Sequence, residues 1–524
     1  MSFFDRFDPN IQAERGTGGL RSRYHDKTGI ASHREWRGFA DTAYDYWAWM
    51  KNLGTMAVFI TKTPVRIVKG LLRYRWMGSY LSVFNFVDRS LEGYRSYELR
   101  IGHMHMHTII KNVTEKLALL FKADERLGKN KYSHKLVGLD ETMPPVFMAG
   151  FPHLYAMPIQ TYPEFLICNM DQHLMPHYID VMESFGVPAD VCSRCEAEAG
   201  VAAEDDFPVF GACVITSNMP CDGSIMTSAF QARRFKKPTY PLMMPMRHSE
   251  NEVHAYSEIQ LKEAIEFIEK QTGETYDWKS LFKTAKILNR QNEIELEKWD
   301  IFKTPYSALS GEPQSLYRLF YWASNCGLSP NFLRTDEKVI KIMNACCKKK
   351  YKPFRGKSRH RAIIWSTAAV FYTDYPTWLQ NCWGITVINN MDSTMGHNMI
   401  NTEDPEKALA DLALLSEKST MRHHAVGGFE NVNKLWEYYE FFNCDMVLFY
   451  DQLACKGMNG VHGIFEEEAR RRNVNLVWIE HDLQDPRTVS RQSMREQMNH
   501  YMSTVMREEP LDATLVDFDD SMAW

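Results

Sequence analysis

Short apolar runs alternate with amphipathic segments twice along this chain, once on each side of about residue 350. Apolar runs of about 4–8 residues fit strands that are buried on both faces, and such strands occur in parallel sheets covered by helices. In the first alternation we predict strands at Val146–Gly150 and within Phe207–Ser217, with a helix at Leu174–Phe185 between them. The pattern therefore predicts α/β lobes in which helices wrap a parallel sheet.

The second alternation is more regular than the first. Its predicted strands are Ala362–Thr367, Gly384–Asn389, Met446–Tyr450 and Leu476–Glu480, and its predicted helices include Ala408–Leu415, Ile464–Arg472 and Ser490–Met506. The chain before about residue 140 differs, since it has aromatic-rich helical stretches and no cysteine. The predicted fold class is α/β, with two flavodoxin-like parallel-sheet lobes and an additional helical N-terminal region. The predicted domains are residues 1–140 (helical), 141–350 (first lobe with a helical segment) and 351–524 (second lobe with a C-terminal helix).

Charge and hydropathy exclude several classes of protein. The formal net charge is -5, so there is no overall basic field for nucleic acid. The N-terminus lacks the apolar core of a signal peptide. The most apolar early stretch, Leu53–Leu72, is interrupted by Lys62, Pro64 and Arg66, so we predict no membrane span. These features predict a cytoplasmic protein.

One early segment has a basic side. Its basic residues recur at helical spacing, with apolar residues on another face: Lys62, Arg66, Lys69 and Arg73 against Val65, Val68 and Leu72. The pattern predicts an amphipathic helix. Its basic side is either a solvated face or a surface for an anion or a partner.

The eleven cysteines are too sparse for a disulfide scaffold, and their odd number prevents complete pairing. We therefore expect a reducing compartment in which a few cysteines are metal ligands or reactive thiols. Three cysteines lie on predicted loops: Cys192, Cys221 and Cys455. The last two follow predicted strands, and ligands bind at the carboxyl ends of parallel strands. Three such thiols could hold an iron–sulfur cluster, although their spacing alone is a weak signal.

Several short segments, in order, resemble a known family. They are Tyr162-Pro163-Glu164, Glu183-Ser184-Phe185-Gly186, Asp190-Val191-Cys192, the strands leading to Cys221 and to Cys455-Lys456, and the run from Ile479 to Arg487. From about Tyr162 to Met506 the chain resembles the 2-hydroxyacyl-CoA dehydratase and benzoyl-CoA reductase family. The resemblance implies a [4Fe-4S] cluster held by Cys192, Cys221 and Cys455, with Cys195 as a rival to Cys192. Glu196 stands where the family often has a basic residue.

The resemblance also implies a reaction. In this family, one electron added to the thioester carbonyl of an (R)-2-hydroxyacyl-CoA gives a ketyl radical, which expels the neighbouring hydroxyl and leads to a 2-enoyl-CoA. A homologous second subunit and an ATP-hydrolysing iron–sulfur activator are the implied partners. This chain has no G-x-x-x-x-G-K-[ST] loop of its own. The alternatives are an aryl-CoA reductase subunit of the benzoyl-CoA type and a cluster-carrying electron-transfer or scaffold subunit without a substrate site.

The base that accepts the substrate proton is harder to select from the sequence than the cluster ligands are. His397 lies on the predicted loop Asp392–Asp404, after a strand, where an imidazole could titrate near neutral pH and move a proton. It is our predicted catalytic residue, and a histidine that merely lies on a surface loop is the alternative. Glu480-His481-Asp482 and His423-His424 are further candidates.

Overall fold

The structure is a computed structural model of the whole chain. It describes residues 39–91, 94, 96–140, 143–159, 161–170, 174–219, 221–245, 251–308, 312–352, 358–394, 396–418 and 429–517. His423 and His424 lie outside these ranges.

The first sheet has four parallel strands. They are β1 (Leu136–Leu139), β2 (Tyr155–Pro158), β3 (Cys213–Ser217) and β4 (Thr239–Leu242), and their spatial order is β2-β1-β3-β4. Every residue of β1 and β3 is buried, as expected for central strands covered by helices on both faces. The helices of this part are α5 (Thr161–Phe165), α6 (Met175–Ser184), α7 (Ser193–Ala203) and α8 (Asp222–Phe235), numbered after the N-terminal helices α1–α4 given below.

The second sheet repeats this topology. Its strands are β5 (His360–Trp365), β6 (Ile385–Asn390), β7 (Met446–Gln452) and β8 (Asn475–His481), all parallel, in the order β6-β5-β7-β8. In both sheets the first strand therefore lies between the second and the third, with the fourth at the far edge, which is the flavodoxin-like order. The predicted α/β fold class with two such lobes is confirmed.

Two sets of helices complete the C-terminal two-thirds of the chain. A helical segment between the sheets contains α9 (Asn251–Thr272), α10 (Trp278–Phe302), α11 (Glu312–Ser324) and α12 (Pro330–Lys348). The second lobe contains α13 (Tyr375–Trp383), α14 (Pro405–Glu417), α15 (Phe429–Phe441), α16 (Lys456–Asn459), α17 (His462–Arg472) and α18 (Arg491–His500). We continue to propose domain boundaries near residues 140 and 350. The first strand of the first sheet, however, already begins at Leu136.

The N-terminal region is helical, as predicted. It contains α1 (Phe39–Lys62), α2 (Pro64–Arg73), α3 (Val83–Ser90) and the long α4 (Ser96–Ala123). Pro64 separates α1 from α2 because proline cannot donate the backbone hydrogen bond that would continue α1. The Arg66 guanidinium donates hydrogen bonds to the carbonyls of Phe121 and Asp124 at 2.9 and 3.1 Å, at the C-terminal end of α4. This basic residue of the predicted amphipathic helix is thus a helix cap rather than a solvated charge.

The first lobe departs from the sequence prediction in two ways. Val146–Gly150, predicted as a strand, belongs to a 3-10 helix, Pro145–Gly150, because prolines on either side of its start favour a turn. The strands β1, β2 and β4 were not predicted. Each has only four residues, and a glycine or a proline interrupts its apolar pattern.

Within the described part of the chain, no helix combines the length and the apolar character needed to cross a bilayer.

Candidate metal centre

Two of the predicted ligands occupy matching places in the two sheets. Cys221 follows β3 and Cys455 follows β7, and each of these is the third strand of its sheet. Both cysteines come directly before a helix, Cys221 before α8 and Cys455 before the short α16. The equivalent topology of the two lobes therefore presents one thiol from each at the carboxyl end of a central strand.

The third predicted ligand lies at the start of α7. Cys192 is the residue before this helix, and Cys195 is in its first turn. Helix α7 packs closely on α6, since a Cβ on Gly200 would lie 2.1 Å from the Tyr178 carbonyl oxygen. This close contact fixes the position of the helix that carries both thiols.

The structure brings the predicted cysteines together. The Cys192 and Cys195 thiols are hydrogen-bonded to each other, and Cys192 also interacts electrostatically with Cys221 and Cys455. A Cβ on Gly223 would lie 2.7 Å from the Cys195 Sγ and 3.5 Å from the Cys221 Sγ. Four thiols from both lobes therefore meet, including both rivals for the first ligand position.

Burial and neighbouring thiols raise the pKa of Cys195, Cys221 and Cys455. Burial raises the pKa of Cys221 to about 12 and that of Cys455 to about 11, and the neighbouring Cys192 adds to both. The hydrogen bond that the Cys195 thiol donates to Cys192, followed by burial, raises the pKa of Cys195 well above its ordinary value. A group of thiols of this kind stays protonated without a cation, and a bound metal removes the protons as its bonds to sulfur form.

The donor set fits an iron–sulfur cluster. The ligands are sulfurs, which iron–sulfur clusters require, and the N-terminal ends of α7 and α8 favour negative charge beside them. Among the residues that the structure describes, no three His, Cys, Asp or Glu side chains converge on one point as the ligands of a single metal ion do. Cluster cysteines have no such requirement, because each of them binds a different iron.

Polar contacts join the two lobes around these thiols. The Gln452 side-chain amide, at the end of β7, lies 3.8 Å from the Cys192 Sγ as a hydrogen-bond donor. The Ser193 hydroxyl donates a hydrogen bond to the Asp482 carboxylate and accepts one from the Gln484 backbone N–H at 3.3 Å. Gln452 was not predicted as a site residue, because its partner is 260 positions away in the chain.

Glu196 directly follows Cys195 in α7 and is buried. Burial, together with the carboxylates of Glu183 and Asp482, raises its pKa to about 8. One of its carboxylate oxygens, Oε1, has no hydrogen-bond partner. Where a basic residue was expected, this chain therefore has a carboxyl group that is largely neutral near pH 7, on the residue after Cys195.

His397 lies in a different environment. Its ring packs against Trp299, with centroids 4.5 Å apart, and the Arg318 guanidinium donates to its Nε2 at 3.3 Å. Burial, followed by the charge of Arg318, lowers the pKa of His397 to about 3, so its imidazole is neutral near pH 7. Its other partners are Glu295 and Lys298 of α10 and the backbone of Thr394. Its catalytic role stays a prediction.

The run at the end of β8 is closer to the centre. Asp482 accepts a hydrogen bond from Ser193, which lies between Cys192 and Cys195. The backbone of Glu480 instead pairs with the side chain of Gln497. His481 is fully buried, and burial lowers its pKa to about 4. Asp482 thus contacts the segment of Cys192, and the His481 backbone carbonyl accepts a hydrogen bond from the Leu453 N–H at 3.1 Å, two residues before Cys455.

Fold and site together define a two-lobed α/β protein with a cysteine-rich centre between parallel sheets. A comparison with protein families matches residues 155–502, about two-thirds of the chain, to the family described as 2-hydroxyglutaryl-CoA dehydratase, D-component. The chain belongs to this family. The match begins at the first residue of β2, so α1–α4 and β1 precede it. No curated protein matches the chain in a sequence comparison.

Proposed function

We propose that this chain is the iron–sulfur subunit of an ATP-activated enzyme that dehydrates an (R)-2-hydroxyacyl-CoA to a 2-enoyl-CoA by one-electron chemistry. The observation that carries the proposal is the meeting of Cys192, Cys221 and Cys455, which come from both lobes of a chain in the dehydratase family. A [4Fe-4S] cluster held by these thiols would supply single electrons to the thioester. The proposed partners are the acyl-CoA substrate, a homologous second subunit and an ATP-hydrolysing iron–sulfur activator.

The residues around the thiols support this role in two ways. The amide of Gln452 donates toward the Cys192 sulfur, and hydrogen bonds to sulfur influence the reduction potential of a cluster. The carboxyl of Glu196, with its pKa at about 8, can hold a proton at neutral pH on the residue that follows Cys195.

An outward-facing apolar surface supports the proposal of a partner protein. Val65, Val68 and Leu72 of α2 are 67%, 52% and 84% exposed, whereas Ile67 of the same helix is buried. Exposed apolar surface of this kind is typical of a site covered by another protein. The basic residues Lys69 and Arg73 flank it.

Anaerobic purification followed by iron and sulfide analysis tests the proposal. We expect about four irons per chain, lost in Cys221→Ala and in Cys455→Ala but retained in Cys444→Ala, a buried cysteine of the second lobe. A stable, iron-free wild-type protein would refute the cluster. With the partner subunit, activator, ATP and a reductant present, turnover of a 2-hydroxyacyl-CoA supports the dehydratase, and turnover of benzoyl-CoA alone supports the aryl-CoA reductase.

A second candidate function is electron transfer without a substrate site. The position of Cys195 favours it, because a thiol beside the three predicted ligands can occupy the iron that would otherwise bind substrate. No turnover of either thioester, with cluster and partner present, would favour this function.

A further inference from the structure

Cys195 differs from the cysteines of the apolar core in the groups that surround its sulfur. The Cys213 side chain, inside β3 of the same lobe, has its pKa raised by burial alone, with no second thiol beside it. Cys195 is equally buried, but its sulfur is hydrogen-bonded to Cys192 and interacts with Cys221. Its position is therefore within the group of candidate ligands and not in the apolar core.

Gly223 shows the direction in which this thiol points. This residue is the second of α8, two positions after Cys221, and any Cβ there would collide with the Cys195 Sγ at 2.7 Å. The same Cβ would contact the Cys221 Sγ at 3.5 Å. The Cys195 sulfur thus fills the space beside the start of α8, where Cys221 is presented, and only a residue without a side chain leaves that space open.

Two helix N-termini lie at this group of thiols. Cys195 is in the first turn of α7, an 11-residue helix, and Cys221 precedes α8, a 14-residue helix. The free backbone N–H groups of these first turns stabilise negative charge on nearby sulfurs. Arg194 of α7 is paired with Glu198 at 3.3 Å, and the negative charge of Glu198 acts on Cys195 in the opposite direction to the helix ends.

We propose that Cys195 is a fourth cysteine ligand of the cluster, alongside Cys192, Cys221 and Cys455, rather than a substitute for Cys192. The inference rests on the proposed function, because it presupposes a cluster between the lobes. As each sulfur–iron bond forms, the thiol releases one proton to solvent, and no electron is transferred in this step. A cluster with four cysteine ligands leaves no iron free for a substrate oxygen, so this chain delivers electrons and does not bind the substrate at iron.

The test compares the reconstituted wild-type chain with Cys195→Ala and Cys195→Ser, and uses Cys213→Ala as the matched control. The three measurements are iron per chain, the Mössbauer and EPR spectra of the cluster, and iron loss under mild ferricyanide oxidation. In Cys195→Ala one iron is held only by its bridging sulfides, so we expect that iron to be lost first and to leave a three-iron EPR signal. In Cys195→Ser an oxygen replaces sulfur at one iron, so we expect altered spectra even if the alanine variant folds poorly.

The outcomes distinguish a failure of the four-cysteine inference from a failure of the proposed function. Loss of one iron from Cys195→Ala, with Cys213→Ala like wild type, supports four cysteine ligands. Identical spectra and identical iron retention in wild type, Cys195→Ala and Cys195→Ser would overturn the inference and leave a three-cysteine cluster in place. A complete cluster in Cys192→Ala would also overturn it, since Cys195 would then be a substitute. A wild-type chain that binds no iron at all overturns the proposed function itself.

Discussion

The buried carboxyl of Asp140 holds the loop that leads to Cys221 of the candidate metal centre. It directly follows β1 and accepts hydrogen bonds from the Ser217 backbone N–H at 3.0 Å and the Ser228 hydroxyl at 2.8 Å. These two residues lie on either side of Cys221, one at the end of β3 and one in α8. Asp140 therefore connects two strand ends to the helix that follows the candidate ligand.

Replacement of this carboxyl should change how stability depends on pH. Burial, with Glu198 as a like-charged neighbour, raises the pKa of Asp140 from 3.8 to about 7. Below pH 4 the group is protonated in both the folded and the unfolded chain. Between pH 4 and 7 only the unfolded chain loses the proton, so the stability that Asp140 contributes falls as the pH rises. We expect Asp140→Asn to abolish this fall.

Urea unfolding of the cluster-free chain at several pH values measures the effect. The difference in unfolding free energy between wild type and Asp140→Asn should change by up to about 4 kcal/mol between pH 4 and 8, since one pKa unit corresponds to about 1.4 kcal/mol. Asp300→Asn, at a carboxylate whose side chain is 73% exposed, is the control and should keep the wild-type dependence. Equal pH dependence in wild type and Asp140→Asn would show that Asp140 does not titrate in this window.

At the scale of elements, the contact of α6 with α7 decides where two of the thiols lie. Gly200→Ala places a methyl group 2.1 Å from the Tyr178 carbonyl oxygen, and neither backbone can yield without separating the helices. We expect a loss of about 3 kcal/mol of unfolding free energy in urea denaturation, as for other overpacked contacts. Iron content after reconstitution should fall as well, because α7 carries Cys192 and Cys195.

The control for this substitution is another helical glycine. Gly54 of α1 has nothing within 4 Å of its Cβ position. Gly54→Ala should therefore stabilise the chain by about 1 kcal/mol, the usual gain in helix propensity. If both substitutions had the same small effect, the close packing of α6 on α7 would not limit the position of α7.

The elements also show which part of the fold can be predicted from sequence. The strands β5–β8 have six or seven residues and continuous apolar centres, and all four were predicted near their observed positions. The strands β1, β2 and β4 have four residues each, and such runs are too short to distinguish a strand from a turn. The parallel pairing that stabilises these short strands comes from neighbours distant in sequence, which no local pattern contains.

At the scale of the whole molecule, the repeated strand order explains why the candidate ligands could be selected at all. The rule that ligands bind at the carboxyl ends of parallel strands selects Cys221 and Cys455 from eleven cysteines, and the structure brings both near Cys192. The sequence offered Cys195 only as a rival to Cys192, and the contacts of Gly223 and Gln452 were not predictable in the same way. Their contacts depend on how α7, α8 and β7 approach one another, which is a property of tertiary packing.

Because the ligands come from both lobes, a bound cluster should stabilise the molecule as a whole. Cys221 belongs to the first lobe and Cys455 to the second, so binding of iron to the folded chain alone shifts the unfolding equilibrium of both. A ligand at 100 times its Kd adds about 2.7 kcal/mol, so for a chain of this length we expect reconstitution with iron and sulfide to raise the Tm by about 2 °C or more.

Calorimetry of the chain with and without its cluster measures this coupling. Cys455→Ala should remove the increase in Tm, although its substitution lies in one lobe only, and chelation of iron from the wild type should do the same. Cys444→Ala, at a buried cysteine of the second lobe, is the control and should keep the increase. A rise in Tm that persists in Cys455→Ala would mean that the iron is bound by the first lobe alone, and the centre would then not join the two sheets.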